Sequence, residues 1–255
     1  MTPEHRTELA SAKAILQNPG IAVKASNLLG KPIESGLKRL PKEWGEKASD
    51  VTKVALDAAM RAALFTMGDV AEAYPKWHKL AAAVSGAAGG AFGLPALLIE
   101  LPVSTTIICR SIADIARANG ESLEDVSTRL ACMEVFAMGG TSTSDDAAET
   151  GYFAVRSAMA KSVSDAAKYL ATHKVAGTSA PALVRLIGQV ASRFQIVVTQ
   201  KAAAQAVPVI GAASGALINL MFIDHFQDMS RGHFTIRRLE RQYGVATIKS
   251  AYDIL

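Results

Sequence analysis

The sequence predicts an all-α fold: one multi-helix domain over residues 1–255 with a Gly/Ala-rich helical core. Three observations predict it. Apolar residues recur at three- and four-residue spacing, as in Trp44, Val51, Val54, Ala55, Ala58, Ala62 and Phe65. Helix-start and helix-stop chemistry separates such stretches along the whole chain. No alternating β-branched run competes, since the most strand-like tetrapeptide, Ile196-Val197-Val198-Thr199, lies inside a longer helical pattern.

The elements follow in order. Thr2-Pro3-Glu4 supplies an N-cap and a proline at the first helical position, and Asn18-Pro19-Gly20 ends that segment. A second segment runs from Ile21 to Leu40, broken at Gly30-Lys31-Pro32, and Pro41 opens a long amphipathic helix that stops before Tyr74-Pro75. The glycines from Gly86 to Gly93 lead into a helix starting near Pro95 and closing at Asn119-Gly120, a C-cap pair. Ser122-Leu123-Glu124-Asp125 starts the next helix with the acidic first turn that a helix dipole favours. Gly139 to Ser144 is a loop, with Ser144-Asp145-Asp146 capping the helix after it. Ser179-Ala180-Pro181 opens another, Pro208 interrupts it, and Gly232 and Gly244 punctuate a basic tail. The pairs Gly86/Gly90, Gly89/Gly93 and Gly211/Gly215, four apart, predict close helix–helix approach, because helical glycine is unfavourable unless packing recovers it.

Composition excludes some classes. Half the residues are hydrophobic and 20% are charged, so the chain can bury a core and is not a disordered polyelectrolyte. Lys+Arg 27 against Asp+Glu 23 leaves +4, too small an excess to predict wrapping by nucleic acid. Met1 to Arg6 has no basic stretch followed by an apolar one, so no secretory signal is expected. Cys109 and Cys132 form no metal-ligand or disulfide pattern and read as reduced core residues of a cytoplasmic protein.

Two runs call for a membrane test: Leu80–Ile99, 20 residues, and Ala202–Ile223, 22 residues, both uncharged and near the ~20 a helix needs to cross a bilayer. Ala and Gly fill 11 of the 20 positions of the first, and the second contains Gln205, Pro208, Ser214 and Asn219. Neither is anchored at both ends by aromatic or basic residues. Buried helices of a helical globule are expected, with a membrane-dipping hairpin as the alternative.

The ordered blocks of this chain resemble the EcsC protein family. They are Asn18-Pro19-Gly20, Asn27-x-x-Gly30-x-Pro32-Ile33-Glu34, Leu40-Pro41, Gly86-x-x-Gly89-Gly90-x-x-Gly93-Leu94-Pro95, Glu100-Leu101-Pro102 and Arg110-Ser111-Ile112-Ala113-x-Ile115-Ala116. Thr150-Gly151-Tyr152-Phe153-x-x-Arg156, Pro208-x-x-Gly211-x-x-x-Gly215 with Asn219, and His233-Phe234-x-x-Arg237-Arg238-Leu239-Glu240 with Tyr243-Gly244 continue it to the end. The resemblance implies a link to transport or secretion, because the family is named for a protein encoded beside an ATP-driven transporter. It implies no particular activity. The acid before the Leu-Pro pair is often Asp in that family and is Glu100 here.

No nucleophile elbow, H-E-x-x-H, phosphate loop or β-lactamase-type set is present, and no catalytic residue, metal ligand or cofactor is expected. Glu100 is the sole charge from Leu80 to Cys109, so it must pair, stay protonated or face water. A structural ion pair with Arg110 or Arg156 is one reading. A polar anchor at an apolar ligand site, formed by Glu100, Arg110 and Asn219, is the other. Asn219 alternatively satisfies backbone groups opened by Pro208. Asp224, His225, Asp228 and His233 could meet as a metal or hydrolase site only if the chain bends at Gly232. Arg231, Arg237, Arg238 and Arg241 against Glu240, interleaved with Phe234, Ile236 and Leu239, form a solvated helix face or a surface for anionic lipid.

These readings converge on a non-enzymatic cytoplasmic protein, peripheral at the inner membrane, whose partner is an anionic membrane surface or a lipid-like ligand and not nucleic acid. A hydrolase or metal-dependent enzyme and an adaptor for a membrane transporter subunit are the alternatives.

Overall fold

The computed structural model describes residues 1–17, 34–66, 94–138, 151–173, 178–206 and 212–255. The expected break at Gly30-Lys31-Pro32, the glycines 86–93, the 139–144 loop with its cap, and Pro208 lie outside the described residues, as do the surroundings of Gly215. The described residues form nine α-helices and one 3-10 turn, with no strand.

Helix α1 (Pro3–Leu16) starts as its proline and cap require, with the Thr2 hydroxyl accepting the His5 amide. After the short α2 (Glu34–Leu37) come α3 (Trp44–Phe65) and α4 (Leu94–Ala118). Pro102 withholds one amide from α4 without ending it. Asn119-Gly120 does end it, Gly120 taking φ 77°, where a side chain would be strained. Helix α5 (Val126–Glu134) runs into the 3-10 turn Val135–Ala137. Then follow α6 (Tyr152–Thr172), α7 (Pro181–Ala206), α8 (Ala212–Tyr243) and α9 (Val245–Ile254).

Gly232 does not punctuate the tail. Helix α8 passes through it unbroken, because α1 needs that gap: a Cβ there would lie 2.6 Å from Leu16 Cγ. Gly36 plays the same part between α2 and α7, where an added Cβ would collide with the Ala203 carbonyl.

The helical period decides what is inside. On α7 Leu183, Leu186, Val190, Phe194, Val197 and Val198 form one buried stripe. Helix α8 sets Ile218, Phe222 and Phe226 four residues apart against it. Phe136, Phe194, Phe222 and Phe226 meet there with ring centroids 5.1–6.0 Å apart, mostly edge to face or tilted. Helix α3 lies along α4 and against α7, and α4 also packs on α8. The elements α4, α7 and α8 thus surround a common interior, and the polar residues on their inner faces must find partners in it.

Candidate functional site

Lys201 continues the buried α7 stripe, three residues after Val198, and is 0% exposed. An ammonium group cannot remain there without a counter-charge. Glu100, on the inner face of α4, provides it: its Oε2 lies 2.7 Å from Lys201 Nζ. Asn219, on α8, donates its Nδ2 hydrogen to the other carboxylate oxygen at 2.8 Å. The Phe222 ring offers its face to the ammonium, 4.4 Å from the centroid. Burial pushes the Glu100 carboxyl up, but Lys201, Asn219 and Ser104 together outweigh it and hold the group below its usual range. Burial likewise pulls Lys201 down, against the opposing pull of Glu100. The carboxylate is ionised, and the site is a neutral pair tied to a third helix by an amide.

The expected partners of Glu100 are therefore corrected. Arg110 points away and donates to the Thr66 hydroxyl at 2.9 Å on the exposed side of α4. Arg156 holds Glu240 through two hydrogen bonds of 2.7 and 3.0 Å. Asn219 joins Glu100, and the backbone around Pro208 that it was also expected to satisfy lies outside the described residues. Lys201, which immediately precedes the second uncharged run, is the missing member. Its signal was present: it extends an apolar stripe at helical spacing.

A second polar cluster joins α5, α6 and α8. Arg156 Nη1 lies 3.2 Å from the Tyr152 oxygen, which is 2.9 Å from His233 Nδ1. His233 is held well below its usual pKa by burial, with Arg156 and Arg237 adding to the effect, so its ring is neutral. Tyr152 accepts from Arg156 and shares a hydrogen bond with His233 Nδ1 whose direction follows the imidazole tautomer. Glu121 takes Arg237 at 3.0 Å, Arg241, and the Thr128 hydroxyl at 3.0 Å. Glu134, buried between these groups, is pushed up to about 7 by its burial. Burial also raises the Cys109 thiol to about 12 and Cys132 well above its ordinary value, so neither is a thiolate.

The Asp224, His225, Asp228 and His233 group does not converge. Gly232 gives no bend, His233 turns to Tyr152, and Asp228 holds Arg231 at 2.8 Å. No group of three or more His, Cys, Asp or Glu that could hold a metal occurs among the described residues. The C-terminal arginines are found in ion pairs: Arg231 with Asp228, Arg237 and Arg241 with Glu121, Arg238 with Glu8 at 2.7 Å. Phe234, Ile236 and Leu239 all face the core, so that stretch has no apolar side to insert into lipid.

A model of the EcsC protein family matches residues 13–239, nearly the whole chain. The chain belongs to the EcsC protein family. The match takes in Glu100, Lys201 and Asn219, while the first turns of α1 and all of α9 lie beyond the EcsC boundaries. The flanks are held by the rest of the chain: His5 Nδ1 meets the Tyr243 hydroxyl at the end of α8 at 2.7 Å, and Lys13, the first matched residue, donates to the Tyr252 carbonyl of α9 at 2.8 Å. No curated protein and no solved structure gives a significant match to this EcsC chain.

Proposed function

We propose that the chain is a non-enzymatic helical protein that associates reversibly with the surface of a lipid bilayer. One observation carries the reading. Glu100 immediately follows the uncharged run Leu80–Ile99, Lys201 immediately precedes the uncharged run Ala202–Ile223, and these two bounding charges lie 2.7 Å apart in the interior. Both runs approach the ~20 residues that match a hydrocarbon core. A charge near lipid is expensive unless it is paired, and this pair leaves the end of the bundle that adjoins both runs with no net charge from them. Among the described helices, α7 is also long and apolar enough by composition to cross a membrane, although nearly half of its most apolar window is buried against the rest of the protein.

Catalysis has weaker support. Glu100 is committed to Lys201 and Asn219, and the acidic and histidine residues of α8 are turned to different partners.

The experiment is flotation of the purified chain with phosphatidylcholine vesicles and with vesicles that also contain phosphatidylglycerol. Recovery of protein with both is expected. No recovery with either would overturn the proposal and favour a protein partner.

A further inference from the structure

We propose that α9 is a releasable strap: it opens about Gly244 as one unit while the rest of the bundle stays folded, and so controls exposure of the aromatic pair Tyr152–Phe153 at the start of α6. The proposal is independent of the membrane reading above. Its first support is the hinge. At the end of α8 the Gly244 amide donates to the Glu240 carbonyl, and α9 begins with the Ile248 amide donating to the Gly244 carbonyl. Between them Gly244 takes φ 86° with ψ 146°, a conformation nearly reserved for glycine. An added Cβ would meet nothing within 4 Å, so glycine is there for the backbone and not for room. The second support is how little sustains α9 by itself. Its ten residues fall below the ~12–15 under which an isolated helix is marginal in water. No side chain caps its start, its first turn carries no acid, and its last turn carries no base to answer the helix dipole. Once released, α9 melts.

One narrow face docks it. Ile248 and Tyr252, four residues apart, are the only buried residues of α9. The Tyr252 ring lies edge to face with Phe153, centroids 5.1 Å apart, and tilted against Tyr152 at 6.1 Å. Lys13 of α1 is the latch. Its Nζ donates to the Tyr252 carbonyl at 2.8 Å, where a helix end leaves acceptors unfilled, and lies 4.9 Å from the centre of the Tyr252 ring. Helix α1 presents that lysine from a fixed place, because Leu16 and the Ala12 carbonyl lie close against Gly232 of α8. Residues 13–239, matched by the family, include latch and seat but not α9, so the strap is added to a unit the family defines without it. Tyr252 covers the aromatic pair of Tyr152-Phe153-x-x-Arg156. The Tyr152 hydroxyl bonds to Arg156 and His233, so the strap stands between that network and water.

The test is native-state hydrogen exchange of the full chain in low concentrations of urea, read amide by amide. The amides from Ile248 to Asp253 should share one opening free energy and exchange roughly a hundredfold or more faster than those from Phe194 to Val198 in the core of α7. Urea should hardly change the α9 rates, because little surface is exposed, and should steeply raise those of α7. Tyr252→Ala and Gly244→Ala speed α9 exchange roughly tenfold or more, Lys13→Met by less, and Val245→Ser, on the exposed side, leaves it unchanged. Gly36→Ala, which strains the bundle elsewhere, also leaves α9 unchanged. Unfolding temperatures establish that each variant is folded, and the wild-type measurement needs no variant. A second readout is thiol labelling of Ile248→Cys, in which the introduced thiol reacts well ahead of Cys109 and Cys132, both 0% exposed and reporting global unfolding. Exchange of α9 only together with α7, or an introduced thiol no faster than the native pair, would overturn the proposal. Rates falling steadily from Asp253 inward to Ile248 would equally overturn it, by making α9 a fraying end without a hinge. Indifference of α9 to both Lys13→Met and Tyr252→Ala would remove latch and seat, and the strap with them.

Discussion

Lys201 Nζ and Glu100 Oε2 meet at 2.7 Å across 101 residues of sequence, with the lysine wholly excluded from solvent. Their contact fixes α7 against α4, and Asn219 extends the tie to α8. A buried ion pair is often no more stabilising than well-packed hydrophobic residues of similar volume. Removal of one partner is another matter, because the survivor stays buried with its charge.

Glu134 makes stability depend on pH in a sense opposite to Glu100. Its folded pKa is about 7, above the ordinary carboxyl value of roughly 4.3. Between those values the folded chain keeps a proton that the unfolded chain has lost, so this group's contribution falls as pH rises and is fully lost above about 7. Glu134→Gln should therefore be more stable than wild type at pH 8, by up to roughly 3 kcal/mol, and equal to it near pH 4. Urea unfolding at both pH values measures this. Equal stability at pH 8 would place the charge of Glu134 in a better-compensated setting than its burial indicates.

Glu100 and Glu121 behave in the usual sense, since their folded pKa values are lowered. Their stabilisation is complete above the unfolded carboxyl pKa and is lost as pH falls through the lower folded values. Acid unfolding should shift to higher pH in Glu121→Gln, followed by circular dichroism. An unchanged acid midpoint would show that its bonds to Arg237 and Thr128 contribute nothing net.

His233 should remain neutral through the range in which exposed histidines titrate. The ¹⁵N shifts of the ring in labelled protein report its protonation. Titration near pH 6.5, the ordinary histidine value, would contradict the burial and the Tyr152 hydrogen bond assigned to it.

Gly36→Ala should destabilise by about 1–3 kcal/mol, because the added methyl meets the backbone of Ala203, which cannot rotate away. Gly232→Ala should be milder, since the nearest atom belongs to the flexible Leu16 side chain. Thermal unfolding of the two variants gives the order. A neutral Gly36→Ala would mean that α2 can step back from α7 without loss.

The helices were legible in the sequence because their period and end residues are local properties. Thr2-Pro3, Asn119-Gly120 and Ala180-Pro181 sit at or next to the ends they announced. Gly232 was misread because glycine marks both a break and a close approach, and only the position of α1 distinguishes them. The partner of Glu100 was misassigned for a related reason. Arg110 and Arg156 were near at hand in the familiar motifs, whereas Lys201 lies 101 residues away, and pairing across that distance depends on how α4 and α7 pack. The requirement that Glu100 find a partner was nevertheless plain, because an isolated carboxylate cannot be left in an apolar interior.

The two charges bounding the uncharged runs serve one another, and a double-mutant cycle measures that coupling. Chemical denaturation is measured for wild type, Glu100→Gln, Lys201→Met and the double variant. Each single change should cost about 3–5 kcal/mol by stranding the other charge, and the double variant should lose far less than the sum of the two. Simple additivity, or singles within a few tenths of wild type, would contradict the pairing of Glu100 with Lys201.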